Sequence, residues 1–263
     1  MPKKKINGIR MYYEMAGEGE PLLLIHGLGS STRDWEFQVP TFSQKYQVIT
    51  IDLRGHGKTD KPKGPYDMRM FANDIKELLE EIGIKWTHIL GISLGGGIAF
   101  QFAVDYPDLV KSLIIVNAGI EIPTGSIKMK LEAFKRTFIV RLVGMKKMGQ
   151  VLAPRLFIKP EQEDLRQKLI ERWQENDKKA YLSAMRSLIG WSVRDQLEKI
   201  KCPTLVIGSE QDYAPSSIKK EYTELLPNAK FIEIKDARHA VAIEKPEEFN
   251  EIVMRFLSEN IQI

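Results

Sequence analysis

Gly91-Ile92-Ser93-Leu94-Gly95 sets a serine between two glycines, after the apolar pair Ile89-Leu90 and ahead of a helical pattern that runs on through Phe102. A serine hydroxyl is a poor nucleophile near neutral pH. It works only when a base takes its proton, an acid orients that base, and donors wait for the oxyanion that forms. A sharp strand-to-helix turn can hold such a serine in a strained conformation with its hydroxyl above the sheet, provided the residues two before and two after it lack side chains. Gly91 and Gly95 meet that need, so Ser93 is the candidate nucleophile.

The base follows by elimination among four histidines. His88 opens an apolar run and reads as structural. His56 lies in Arg54-Gly55-His56-Gly57, a turn too rich in glycine to hold a base rigidly, and His26 directly precedes Gly27 in an early loop. His239, in a loop after Phe231 to Ile234, is the candidate base. Its acid is expected at the carboxyl end of another strand, where open α/β sheets place their ligands. Two carboxylates follow the run Thr204 to Ile207, Glu210 and Asp212, and Asp212 is taken because it stands further into the loop, just before the helix that Pro215 starts. The corresponding position after Leu113 to Val116 holds the uncharged Asn117. Asp212 would fix the tautomer of His239 and stabilise its imidazolium. The backbone N–H groups of Leu94 and of Leu28, in the loop after Leu22 to Ile25, are the candidate oxyanion donors.

These residues need a scaffold of strands. Short apolar runs recur at Leu22 to Ile25, Val48 to Ile51, His88 to Leu90, Leu113 to Val116, Leu205 to Ile207 and Phe231 to Ile234. Runs apolar on both faces predict a parallel sheet covered on both sides. Helical patterns lie between them, at Met70 to Ile82, Gly96 to Asp105, Ser216 to Leu226 and Pro246 to Glu259, which makes the class α/β. Ile6 to Met15 reads as an antiparallel hairpin at the sheet edge. From Glu121 to Val193 no strand pattern appears, and Ile127, Leu131, Phe134, Phe138 and Leu142 follow a helical period. The expected organisation is a core of residues 1–120 and 194–263 with a helical cap at 121–193 inserted between two late strands. That cap holds more large apolar residues than a small subdomain can bury in itself, among them Phe134, Met145, Met148, Trp173 and Leu188. It is expected to cover Ser93 and supply an apolar pocket, with Trp35, Phe138, Leu142 and Trp191 as the candidate substrate-binding side chains.

The chain order serine, acid, histidine, with His26-Gly27-Leu28-Gly29 after an early strand, resembles the α/β-hydrolase superfamily over nearly the whole chain. Asp52-Leu53-Arg54-Gly55-His56-Gly57 is similar to its D-x-R-G-x-G turn, with Thr59 where serine is usual. His239 to Pro246 is similar to its H-x4-E-x-P ending, with Arg238 where glycine is often found. Small carboxylesterases and 3-oxoadipate enol-lactonases are the most similar members. The resemblance implies a serine hydrolase that cleaves a small or medium carboxylic ester through an acyl-enzyme. It leaves enol-lactone hydrolysis, C–C bond hydrolysis and cofactor-free perhydrolysis open, and, in a different class, a receptor-like binding protein with a retained triad. Dehalogenases and epoxide hydrolases of the superfamily carry aspartate at the elbow, and Ser93 argues against both.

Composition narrows the partners. The 263 residues are 43% hydrophobic with 39 basic against 35 acidic side chains, and the small excess includes Lys3-Lys4-Lys5, which reads as a solvated end. No basic stripe with interleaved aromatics follows it, so no nucleic-acid partner is expected. No apolar stretch reaches the roughly 18 residues that span a bilayer and no apolar segment follows the lysines, so neither a membrane partner nor a secretory signal is expected and the location is read as cytoplasmic. Gly57-Lys58-Thr59 and Gly27-Leu28-Gly29 fail the spacing of phosphate-binding and dinucleotide-binding loops. No metal-ligand pattern stands out, and the chemistry needs no cofactor. Cys202 reads as a small buried hydrophobe. A small-molecule ester or lactone is the expected partner; the oligomeric state is not readable.

Overall fold

The computed structural model describes residues 2–122, 124–125 and 127–259, apart from the side chains of residues 127–130, among them Ile127 of the helical series. Two strands, β1 (Lys3–Ile6) and β2 (Ile9–Ala16), form the expected hairpin. Lys3 to Lys5 are thus part of an edge strand and not a free tail; lysines on an edge discourage further strand pairing, and Lys3 donates to the carbonyl of Lys58 at 2.6 Å. The chain continues through β3 (Glu20–Ile25), the short α1 (Val39–Phe42), β4 (Tyr46–Ile51), α2 (Met68–Glu81), β5 (Thr87–Ile92), α3 (Leu94–Asp105) and β6 (Val110–Val116). Four helices follow, α4 (Ile127–Leu142), α5 (Met145–Leu156), α6 (Glu163–Gln174) and α7 (Lys178–Ser187). The chain then returns to β7 (Thr204–Ser209), α8 (Ser216–Thr223), β8 (Ala229–Ile234), the short α9 (Val241–Glu244) and α10 (Pro246–Glu259).

The strands form one eight-stranded sheet in the order β1-β2-β4-β3-β5-β6-β7-β8, parallel from β4 onward. Its central strands are closed to water on both faces, and Leu22 to Ile25 are fully buried, which is why they read as unbroken apolar runs. Helix α2 starts two residues before the helical pattern because Asp67 caps it, its carboxylate accepting from Met70 N–H at 2.8 Å. The register pairs Ile25 with Gly91, Ile92 with Val116, Val116 with Ile207, and Ser209 with Ile234. All these strands end along one edge, so the loops that follow them meet there.

The helices between β6 and β7 bury a cluster of their own, including Met148, Leu152, Phe157 and Tyr181. An antiparallel bridge between Glu121 and Ser192 ties the two ends of this insertion together, with Ile122 N–H donating to Trp191 O at 2.9 Å and Val193 N–H to Ile120 O at 2.9 Å.

Candidate functional site

Ser93 is the single residue between the end of β5 and the start of α3, at φ 56° and ψ −117°. That conformation costs a residue with a side chain about 1–3 kcal/mol, and the surroundings over-determine it. Ser93 N–H donates to Val116 O at 2.9 Å and its carbonyl accepts from Gly97 N–H at 3.1 Å. A side chain on Gly95 would overlap the carbonyl oxygens of Ile25 and His26, and one on Gly91 would overlap the carbonyl of Gly95. The two glycines of the motif are therefore close-approach positions.

The loop after β3 lies against this turn: a methyl group on Gly27 would sit 3.5 Å from Ser93 Cβ. Leu94 opens α3, where backbone N–H groups have no partner within the helix, and Leu28 faces the same cavity as Ser93. Two buried polar groups, His26 and Asp52, brace the loop, and a buried ion pair lies nearby in the chain. His26 accepts from Leu53 N–H at 3.1 Å through Nε2, which leaves Nδ1 to donate to Gly27 O at 2.7 Å. Asp52 accepts from Thr32 N–H at 2.7 Å and Lys58 N–H at 2.6 Å. Arg54 forks onto Asp74 with two bonds of 2.7 Å. His56 is fully buried, with Nδ1 3.0 Å from Arg54 O, in a structural position. Burial pushes His26 down to about 4 and His56 to about 3, so both imidazoles are neutral props. His88 is buried between Ser112 Oγ at 2.7 Å and Glu20 at 3.0 Å.

Asp212 Oδ1 lies 2.5 Å from His239 Nδ1 and also accepts from Tyr213 N–H at 2.7 Å. Glu210, the alternative acid, points elsewhere, pairing with Lys235 at 3.2 Å and accepting from Asp236 N–H. The second oxygen of Asp212 meets Lys219 Nζ at 2.6 Å, with both side chains only 2% exposed, and Lys219 also donates to Ala214 O. Burial opposes the charge on Asp212, yet the hydrogen bond and charge of His239, with the Lys219 ammonium, hold its carboxyl below the usual range. Sequence reasoning missed Lys219, because one lysine on a polar helix reads as surface. It missed the role of Asn117 too: the amide donates to Ser209 Oγ at 2.7 Å and His239 O at 3.1 Å and accepts from Ser209 N–H at 2.9 Å, fastening the histidine loop to β7. Glu244 accepts from Arg238 N–H at 2.6 Å. Arg238 is not among the positive-φ residues, so glycine is not required there.

Ser93 and His239 line one cavity of about 210 Å³ with Leu28, Trp35, Tyr213 and Ile243 from the core and Arg136, Leu152, Leu156, Leu169, Trp173 and Leu188 from the insertion. Trp35, one of the candidate substrate-binding residues, is among those lining the cavity. The other three candidate substrate-binding residues are corrections. Phe138 and Leu142 lie on the outer face of α4, 54% and 68% exposed, because that helix turns Val140 and Arg136 inward. Trp191 packs over α3 at Gly97, its indole N–H donating to Gln101 Oε1 at 2.8 Å. Met145 and Met148 are buried within the insertion. Among the described lining residues the insertion contributes a single cation, Arg136, with no carboxylate at ion-pair distance. Asp34 also lines the cavity but is paired with Arg172 at 3.0 Å.

The family model for the alpha/beta hydrolase fold matches residues 20–140. RutD of Stutzerimonas stutzeri, whose name assigns it provisionally to carbamate hydrolysis, is 30% identical over 268 residues, covering 95% of this chain and 97% of RutD. The chain belongs to the α/β-hydrolase fold family. The crystal structure of the enol-lactonase from Burkholderia xenovorans LB400 superposes with a TM-score of 0.90 at 26% identity, covering 98% of this chain and all of the other. An uncharacterized protein of Mycobacterium tuberculosis is 41% identical over 116 residues, 44% of this chain; the match spans 34% of that relative's length.

Proposed function

We propose that this protein hydrolyses small or medium carboxylic esters through an acyl-enzyme on Ser93. The observation that carries the reading is the 2.5 Å contact of His239 Nδ1 with buried Asp212, in a cavity that also holds the strained Ser93. Ser93 Oγ attacks the ester carbonyl while its proton passes to His239 Nε2. Asp212 accepts from Nδ1–H and stabilises the imidazolium. The oxyanion takes hydrogen bonds from the Leu28 and Leu94 N–H groups, each such donor being worth a factor of ~10² to 10³ in rate. The tetrahedral centre collapses, the C–O bond to the alcohol breaks, and the alkoxide leaves with the proton from Nε2. Water then repeats the sequence on the acyl group, giving the acid and restoring Ser93. The insertion, read as a cap over residues 121–193, supplies Leu152, Leu156, Leu169, Trp173 and Leu188 to the apolar wall.

Arg136 favours a second reading within the same chemistry: an ester or lactone that carries a carboxylate away from the reacting carbonyl. The likeness to an enol-lactonase is consistent with it. Replacing Ser93 with alanine should lower kcat on simple soluble esters by ~10⁴ or more, because triad members act as a unit. Retained turnover in a folded Ser93→Ala protein would place the nucleophile elsewhere.

A further inference from the structure

Helix α4 turns four large apolar residues away from the protein. Leu131, Phe134, Phe138 and Leu142 fall within about 80° of the helix circumference at 100° per residue, and each is more than half exposed, as is Val143 just beyond the helix. The rings of Phe134 and Phe138 stack with centroids 6.5 Å apart. Lys135 and Arg141 flank this stripe on either side, and Lys146 and Lys147 follow, exposed, in the first turn of α5. Residues 131–156 carry six basic side chains against one acidic, an excess larger than the net +4 of the whole chain. The one carboxylate, Glu132, lies 3.6 Å from Lys135 and 3.9 Å from Arg155. Arg141, Lys146 and Lys147 have no carboxylate partner among the described residues.

An apolar stripe bordered by unpaired cations suits a helix lying in the headgroup plane of an anionic membrane. We propose that α4 docks this protein on an anionic lipid surface, the stripe entering the acyl boundary and Arg141, Lys146 and Lys147 meeting the headgroups. A second copy of the chain fits worse: across a two-fold contact the stripe would meet itself and bring its own cations face to face. No helix among the described residues is long and apolar enough to cross a membrane, so the docking is peripheral. The opposite face of α4 carries Arg136 to the Ser93 cavity, which sets the docked face behind one wall of that cavity.

Co-sedimentation of the full chain with vesicles tests this, using phosphatidylcholine alone and phosphatidylcholine mixed with phosphatidylglycerol. Binding is expected to the mixed vesicles only, weakened by salt and reduced roughly fivefold by each of Arg141→Ser, Lys146→Ser and Lys147→Ser. Phe134→Ser combined with Phe138→Ser should abolish it without changing the unfolding temperature, since both rings are exposed. Equal binding to both vesicle types, no binding to the mixed ones, or binding that survives the double phenylalanine variant each overturns the proposal. A protein that ignores vesicles and elutes as a dimer, converted to monomer by Phe134→Ser, would assign the stripe to a contact between copies.

Discussion

Lys219 shares the Asp212 carboxylate with His239, and both members of that ion pair are out of water. Breaking a buried pair leaves one charge uncompensated, which typically costs about 3 kcal/mol or more. Lys219→Met should therefore lower the urea-unfolding free energy by about that amount. It should also raise the pKa of Asp212, so the loss of activity on acidification should begin at a higher pH than in the parent. A pH–rate profile on a soluble ester, with urea unfolding at neutral pH, checks both; an unmoved acid limb would mean that Lys219 only fills space. The buried histidines act in the same direction, costing stability as the pH falls. Below about pH 6.5 an unfolded imidazole takes up a proton that folded His26 refuses until about 4 and folded His56 until about 3. The unfolded state then binds more protons, so stability falls with falling pH across that window, by on the order of 3 kcal/mol for His26. His56→Leu should flatten the slope of unfolding free energy between pH 7 and pH 5, and an unchanged slope would show that His56 is protonated in the fold. His56 Nε2 has no hydrogen-bond partner among the described residues, which makes an apolar replacement reasonable.

At the level of elements, the strands and most helices were legible because their signals are local. Leu22 to Ile25 is apolar on both faces because both faces are covered, and Pro246 marks the start of α10. Ser93, Asp212 and His239 were readable as candidates because each follows such a strand in a loop rich in turn residues. What was not legible is rotation and long-range pairing. The period of α4 announces a helix, but it does not say which of its faces meets the cavity, so Phe138 and Leu142 were expected inside and lie outside. Asn117 and Lys219 act through partners that the fold alone brings near. The corrected lining makes a prediction about soluble esters of graded acyl length. Phe138→Ala and Leu142→Ala should leave the chain-length profile unchanged, whereas Leu152→Ala or Leu169→Ala should extend it toward longer acyl groups. The change should be graded, at ~1 to 3 kcal/mol per methylene. A profile moved by Phe138→Ala but not by Leu169→Ala would require the insertion to seat differently.

Across the whole molecule, the insertion is fastened to the core beside the loop after β3. Arg172 of α6 bridges Asp34 at 3.0 Å and Glu36 at 2.9 Å, Asn176 donates to Gly29 O at 2.8 Å, and Trp173 lies over Gly29. The same segment that closes the cavity thus braces the loop carrying Leu28, and this joins pocket shape to the proposed oxyanion site. The proposed reaction requires Ser93 to be the residue that becomes acylated. Reaction with an active-site-directed phosphonate, followed by peptide mapping and by timing of the modification in His239→Ala and Asp212→Asn, tests that claim most directly. A single modified peptide containing Ser93 is predicted, with labelling slowed most by His239→Ala and less by Asp212→Asn. Modification of any other serine, or labelling of Ser93 at an unchanged rate without His239, would contradict it.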